Sequence, residues 1–286
     1  MRRETALIIK IYVIVSVVLV LAVFAETRKE GQSDSISVDP LFGTTCYVEM
    51  YKDGKFLGKG TGFFFYFEPR LFLIANYHVV YNEKKGLYPD ELWATLHTDP
   101  AALEKKDVYR ISLYDEKGKP QWLEHPRYKG KKYDVIAIPL DREEMKRFNI
   151  YAFTTVNLPD ENTDIGVGEE VLILGYPLGF KDPVYGLPIL RGAVFSSAYP
   201  AYFGNRPFIL LDTKMHAGDS GSPVVSKPTH FRTTRKTYLS VYSAPQVYLL
   251  GVHAGYVPFK KNSVTGESLN FGVVYYAALI PELISQ

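Results

Sequence analysis

From Leu41 onward the chain is a succession of short apolar runs, each of strand length and each closed by turn-forming residues. They read CYVEMYK, FLGKGTGFFFYF, LFLIANYHVV, ELWATLHT, VYRISLY, YDVIAIPL, EEVLILGYP, GAVFSSAY, FILLDT, SPVVS, VYLLGVHAGY and FGVVYYAALI. Runs of this kind, bounded by Gly, Pro, Asp and Lys clusters, predict strands, and their number and spacing suit a closed or sandwiched all-β fold. Asp53-Gly54 between two of them predicts a tight hairpin turn. Aromatic residues make up 14% of the chain, with 22 tyrosines, which favours strands over a helical bundle. The one good internal helical candidate is Asp141–Phe148. The tail Ala278–Gln286 predicts a last helical turn or two. Residues 227–246 (KPTHFRTTRKTYLSVYSAPQ) are polar and basic and read as an inserted surface loop.

The first 25 residues follow a different pattern. Arg2, Arg3 and Lys10 precede the apolar stretch Ile11–Ala25, and polar residues follow at once. A basic start before an apolar run is the pattern of a secretion signal, and Val23 and Ala25 offer small residues before a cut at Glu26. Counted from Ala6, with Lys10 snorkelling, residues 6–25 are long enough to span about 30 Å of hydrocarbon as a single helix. Signal or anchor, either reading exports the body from the cytoplasm, because Arg2 and Arg3 stay inside. Residues 26–40 carry few apolar anchors and read as a tether.

Composition excludes several function classes. The 33 basic and 31 acidic side chains leave no excess to neutralise a phosphate backbone, so nucleic acid is not an expected partner. The one cysteine, Cys46, allows no internal disulfide, no cysteine-based zinc site and no CxxC redox pair; it reads as a small buried hydrophobe.

The chemistry concentrates in His216-Ala217-Gly218-Asp219-Ser220-Gly221-Ser222-Pro223, with an apolar strand behind it. A serine hydroxyl is a poor nucleophile until a base takes its proton and a tight turn presents it. Glycines on both sides allow such a turn. The amides of Gly218 and Ser220 can then converge on a developing oxyanion.

This loop, GDSGSP, resembles the nucleophile loop of trypsin/chymotrypsin-fold serine peptidases, and other segments fit the same resemblance. Gly60-Thr61-Gly62-Phe63 followed by Asn76-Tyr77-His78-Val79-Val80 is similar to the histidine region of HtrA/Deg-type bacterial peptidases, with Ala75 where they carry Thr. Asp134 opens the apolar run VIAIPL, in the manner of their aspartate. Segments 168–179, 190–194 and 251–255 are similar to later strands of the same domains. The order His78, Asp134, Ser220 is that of the chymotrypsin group.

The resemblance implies two antiparallel six-stranded β-barrels, the first about 41–145 and the second about 160–286, with the active site in the cleft between them; the apolar residues 6–25 place a hydrophobic helix before them. It implies a serine endopeptidase acting on protein or peptide substrates, with Ser220 as nucleophile, His78 as general base and acid, Asp134 orienting His78, and the Gly218 and Ser220 amides as oxyanion hole. No metal or cofactor is needed. The rival reading is an inactive member of the fold that binds extended peptides or a membrane partner. The stretch after Ser220 is too short for the PDZ module of full HtrA proteins.

Two expectations concern details. HtrA-type loops commonly carry Asn at position 219, and trypsin-type loops carry an Asp paired with a released amino terminus. Here Asp219 has no obvious activation site, so local N–H groups or a nearby cationic side chain should satisfy it. By the resemblance, the pocket for the side chain before the scissile bond comes from Lys214, Met215, His216 and Ala217, from His253 and Gly255, and from Gly272. Lys214 and His253 together could pair an acidic side chain; with Lys214 turned to solvent, the pocket accepts medium aliphatic residues.

Overall fold

Strand β1 (Thr45–Lys52) turns through Asp53-Gly54 into β2 (Lys55–Phe67), and both turn residues have positive φ (49° and 72°). That is the twist-matching two-residue hairpin the sequence predicts. The computed structural model describes residues 38–286 except 167, 215, 234–238 and 257–270. The apolar stretch 6–25, its flanks through residue 37, and the pocket residue Met215 therefore lie outside the described residues. Among the described residues no helix is long and apolar enough to cross a membrane.

The remaining N-terminal strands are β3 (Arg70–Ala75), β4 (Glu91–His97), β5 (Lys106–Ser112), β6 (Leu123–Glu124) and β7 (Ile136–Leu140). They form one antiparallel sheet in the order β5-β4-β1-β2-β3-β7-β6. It holds six full strands and a two-residue seventh, β6. The C-terminal half supplies β8 (Glu170–Gly175), β9 (Ile189–Phe195), β10 (Phe208–Asp212), β11 (Pro223–Ser226), β14 (Leu249–Tyr256) and β15 (Phe271–Tyr276). These close into a six-stranded barrel in the order β10-β15-β14-β11-β8-β9.

The run Phe63-Phe64-Phe65 shows how the halves join. All three rings are buried, yet side chains alternate across a strand. Phe64 enters the N-terminal core with Val48, Leu73, Leu92 and Ile138. Phe63 and Phe65 enter a second core with Phe72, Ile74, Ile173, Val224 and Val274. β2 and β3 thus lie between two cores, which is why they are apolar on both faces. Each fully buried ring or branched chain contributes about 1.5–3 kcal/mol.

Three short helices complete the framework: α1 (Tyr77–Val80) after β3, α2 (Arg142–Met145) and α3 (Ile280–Ile284). α2 falls inside the expected 141–148 segment, and the Asp141 side chain caps it by accepting from the Glu143 and Glu144 amides. α3 buries Ile280, Leu283 and Ile284 in the second core.

Segment 227–246, read from its polarity as an inserted surface loop, carries regular strand pairing. It is an antiparallel hairpin of β12 (Thr229–Thr233) and β13 (Leu239–Gln246), a separate two-stranded sheet. Thr229, Phe231, Thr233, Val241 and Tyr242 are residue types that favour strands. Arg232 ties it to the barrel, donating to the Asp164 carbonyl and to Glu169 Oε1 (3.0 Å).

Candidate active site

Asn76, which follows β3, leaves α1 without a side-chain cap. Its Nδ2 instead donates to the Asp134 carbonyl at 2.7 Å, which pins the turn before β7 against the start of α1. Asp134 then grips His78 twice. Its Oδ1 accepts from the His78 amide at 2.9 Å, and its Oδ2 lies 2.7 Å from the ring Nδ1. The main-chain bond fixes where the carboxylate sits. The ring bond fixes the imidazole plane and, with Nδ1–H donating, leaves Nε2 as the basic nitrogen. His78 stands on α1, one element beyond the strand end expected from the sequence.

Ser220 lies in the loop between β10 and β11. The Thr61 amide donates to the Ser220 carbonyl at 2.9 Å, and the Thr61 hydroxyl donates to the Gly218 carbonyl at 2.7 Å. On the other side, the Gly221 amide donates to the His253 carbonyl at 2.8 Å and the His253 amide to the Ser222 carbonyl at 2.9 Å. The loop is therefore stitched between β2 and β14. A Cβ built on Gly60 would lie 3.5 Å from both the Ser220 carbonyl oxygen and a Val79 methyl, so the serine loop and α1 meet over that glycine. Among the described residues the Ser220 hydroxyl forms no hydrogen bond with His78, and neither the Gly218 nor the Ser220 amide donates one. Gly221 has φ +88°, and a Cβ there would overlap the Thr61 carbonyl oxygen. Gly218, at φ +97°, presses on the Tyr176–Gly179 turn. Side chains at either position would break the loop's fit.

Asp219, beneath the serine, is 1% exposed. Arg191 Nη1 donates to its Oδ2 at 2.6 Å, and the His216 amide donates to the same oxygen at 3.1 Å. Arg191 Nη2 also donates to Thr213 Oγ1 (3.4 Å) and to the Lys214 carbonyl. This is the cationic partner expected for Asp219, although the sequence reading did not single out Arg191. The signal was present: Arg191 is in phase with the inward-facing Ala193 and Phe195 of β9. Burial pushes the Asp219 carboxyl up from its ordinary value, and Arg191 pulls against that shift.

The expected pocket residues are less unified. Lys214 is exposed. His253 is fully buried, with Nδ1 3.3 Å from the Asp219 carbonyl oxygen and Nε2 without a partner among the described residues. Burial lowers its pKa to about 4. His216 is half-buried and Ala217 exposed; Gly255 is half-buried at φ +120°, and Gly272 is buried opposite Leu211 and Tyr256. No bond joins Lys214 to His253 among the described residues. Cys46 is buried and free, and desolvation raises its thiol to about 12. A cavity of about 540 Å³ lies between the β12–β13 hairpin and the barrel, lined by Glu169, Lys227, Phe231 and Leu239, and shares no lining residue with the His78, Asp134 and Ser220 group.

A family model described as the trypsin-like peptidase domain matches residues 60–230. No curated protein sequence matches the chain. Among solved structures, a serine endoprotease from Yersinia pestis is similar at 12% identity over 87% of this chain, with a TM-score of 0.47. The chain spans 66% of that protein's length. Human heparin binding protein is similar at 13% identity, over 88% of this chain and 94% of the other, with a TM-score of 0.48. The inactive form of a mutant protein from M. tuberculosis H37Rv is similar at 14% identity, over 88% and 90%, with a TM-score of 0.44.

Proposed function

The chain belongs to the trypsin-like peptidase domain family, and from that premise we propose that it is a serine endopeptidase exported from the cytoplasm. The observation that carries this reading is the two-bond grip of Asp134 on His78. A carboxylate spent on one imidazole, holding both its backbone and its ring, serves a histidine that must keep one tautomer and then bear a charge.

In this reading Ser220 Oγ attacks the scissile carbonyl carbon while His78 Nε2 takes its proton. The oxyanion forms against the amides of Gly218 and Ser220. His78 returns the proton to the leaving amine as the carbon–nitrogen bond breaks, which leaves an ester on Ser220. Water, deprotonated by the same histidine, hydrolyses that ester. Asp134 stabilises the imidazolium in both halves. Among the described residues Ser220 and His78 share no hydrogen bond, and the second reading is a fold that only binds extended peptides. Catalytic hydrogen bonds commonly close only in the substrate complex, so the first reading stands.

A fluorophosphonate probe separates the two. Labelling of the wild type and not of Ser220→Ala supports the enzyme; an unlabelled wild type overturns it. Ser220→Ala and His78→Ala should abolish hydrolysis, and Asp134→Asn should lower turnover by about 10⁴. Export rests on Arg2, Arg3 and the apolar residues 6–25. A C-terminal tag that stays cytoplasmic would overturn it.

A further inference from the structure

The nucleophile loop has two flanks of different character. On one side β14 bonds to Gly221 and Ser222. On the other, β2 bonds to Ser220 and Gly218 through Thr61, and the Leu178 amide donates to the Ala217 carbonyl at 2.5 Å. In the peptidase reading, with the acyl portion of a substrate on the β14 flank, β2 and the 176–185 segment form the flank open to its leaving-amine portion.

That second flank collects three cations from distant parts of the chain. The Lys59 side chain crosses the turn at Gly179, where a Cβ would lie 2.5 Å from its Nζ and 2.7 Å from its Cδ. Lys181 Nζ stands 4.1 Å from the centre of the Tyr47 ring, which packs edge-on against Tyr176. Lys106 Nζ donates to the Val184 carbonyl at 2.9 Å. Among the described residues none of the three has a carboxylate within 4 Å. The nearby acids are engaged otherwise: Glu49 accepts from the Tyr51 hydroxyl, Asp182 from the Val184 and Tyr185 amides, and Asp107 pairs with Arg147. Burial lowers the Lys181 pKa; Glu49 opposes that shift, and Lys106 and Lys59 add to it. An arriving carboxylate would relieve this mutual repulsion.

Apolar side chains stand among these charges. Leu178, Phe180 and Val184 are 61%, 66% and 58% exposed. Leu178 also holds φ +55°, an unfavourable conformation for a leucine. Its amide is fixed by Ala217, next to the proposed oxyanion hole, so the backbone strain presents an apolar side chain at the site rather than hiding it.

We propose that Lys59, Lys106 and Lys181, with Leu178, Phe180 and Val184, receive the substrate residues on the carboxyl side of the scissile bond and select segments that carry acidic residues beside apolar ones. The inference rests on the peptidase reading and adds a substrate class to it. It is independent of what the pocket for the preceding side chain accepts.

The test is digestion of a synthetic peptide library by the full chain, with sequencing of the new amino termini. Asp and Glu should be enriched about tenfold within the first few positions after the cut bond, as expected for a few partly exposed ion pairs acting together. The enrichment should shrink at about 0.5 M salt, where exposed charges are screened. Lys59→Gln combined with Lys181→Gln should remove it. The fluorophosphonate probe is run on each preparation, which also reports that the variant is folded. A chain that takes up the probe but shows no acidic enrichment overturns this inference alone. So does enrichment that survives both substitutions. A wild type that neither reacts with the probe nor cleaves the library overturns the peptidase reading and this inference with it.

Discussion

Asp219 carries a carboxylate to a place that water does not reach, directly under the serine loop. Its partner Arg191 is 21% exposed and also holds Thr213 and Lys214, so one guanidinium ties β9 to the loop before Ser220. Removing the arginine strands a buried charge, which costs about 3–5 kcal/mol. Arg191→Met should therefore lower stability by that order and turnover by at least about a hundredfold. Arg191→Met with Asp219→Asn should regain most of the stability, because no charge is left unpaired. Urea denaturation of the single and double variants checks this; equal stability of the two would refute it. The pH dependence has a definite sign. Since the native carboxyl titrates above its ordinary value of 3.8, the native state holds more protons than the unfolded chain between the two values. This residue's contribution to stability therefore falls as pH rises through that window. His253 has the opposite sense. Its native pKa of about 4 lies below the ordinary 6.5, so the unfolded chain takes up the proton first. Stability attributable to His253 is present above pH 6.5 and declines by about 3 kcal/mol as pH falls toward 4. Melting His253→Asn beside the wild type at pH 7 and pH 4.5 should show the variant losing less. At this scale the sequence was most legible where chemistry demands a string of neighbours, as in Gly218–Pro223. It was least legible where the partner comes from elsewhere. Asp219 announced a need for a cation, but nothing adjacent to it named Arg191. Lys59, Lys106 and Lys181 come together only after β2, β5 and the 176–185 segment are in place.

Elements show the same division. The alternation rule reads β4 well, since only the face carrying Leu92, Ala94 and Leu96 is buried. It fails on β2 and β3, where Phe63, Phe64 and Phe65 are all hidden and no polar face marks an outside. Such a run signals a strand buried on both faces, but which core takes which ring depends on the second barrel. The 227–246 segment failed in the other direction. Its charges suggested an inserted surface loop, yet Phe231 pairs opposite Val241 and Thr233 opposite Leu239. Phe231, Leu239 and Val241 are 60%, 62% and 66% exposed, so this hairpin adds little to either core. Arg232, whose side chain is 9% exposed and stacks 5.2 Å from the Tyr248 ring, is its main attachment. Arg232→Ala should leave the melting temperature within a few degrees of wild type. It should raise the rate of limited proteolysis inside 227–246 several-fold, because local opening no longer breaks that anchor. Cleavage at an unchanged rate would show that the hairpin is held by something else.

At the scale of the whole molecule, the proposed chemistry is assembled from both halves. His78 and Asp134 come with the N-terminal sheet, Ser220 comes with the C-terminal barrel, and Thr61 of β2 bonds to the serine loop. The packing makes that assembly obligatory. Phe63, Phe65, Phe72 and Ile74 belong by sequence to the first half, yet their side chains sit at 0% exposure in the core of the second. Tyr133 adds a buried hydroxyl that donates to the Tyr276 carbonyl at 2.8 Å across the same boundary. Residues 38–150 alone would uncover four large apolar side chains on one sheet face, at about 1.5–3 kcal/mol each. A loss of that size rivals the whole stability of an ordinary domain. The sheet and the barrel should therefore unfold in one transition, and neither half should fold when expressed alone. Phe65→Ala tests the coupling from inside. It deletes a ring from the second core and should cost about 3–5 kcal/mol. Amide hydrogen exchange should then speed up to the same extent in β4, which Phe65 does not line, as in β11 and β14, which enclose the core it does. Faster exchange confined to the C-terminal strands would mean that the two halves unfold independently. The serine loop could then detach from His78 while the N-terminal sheet stayed intact.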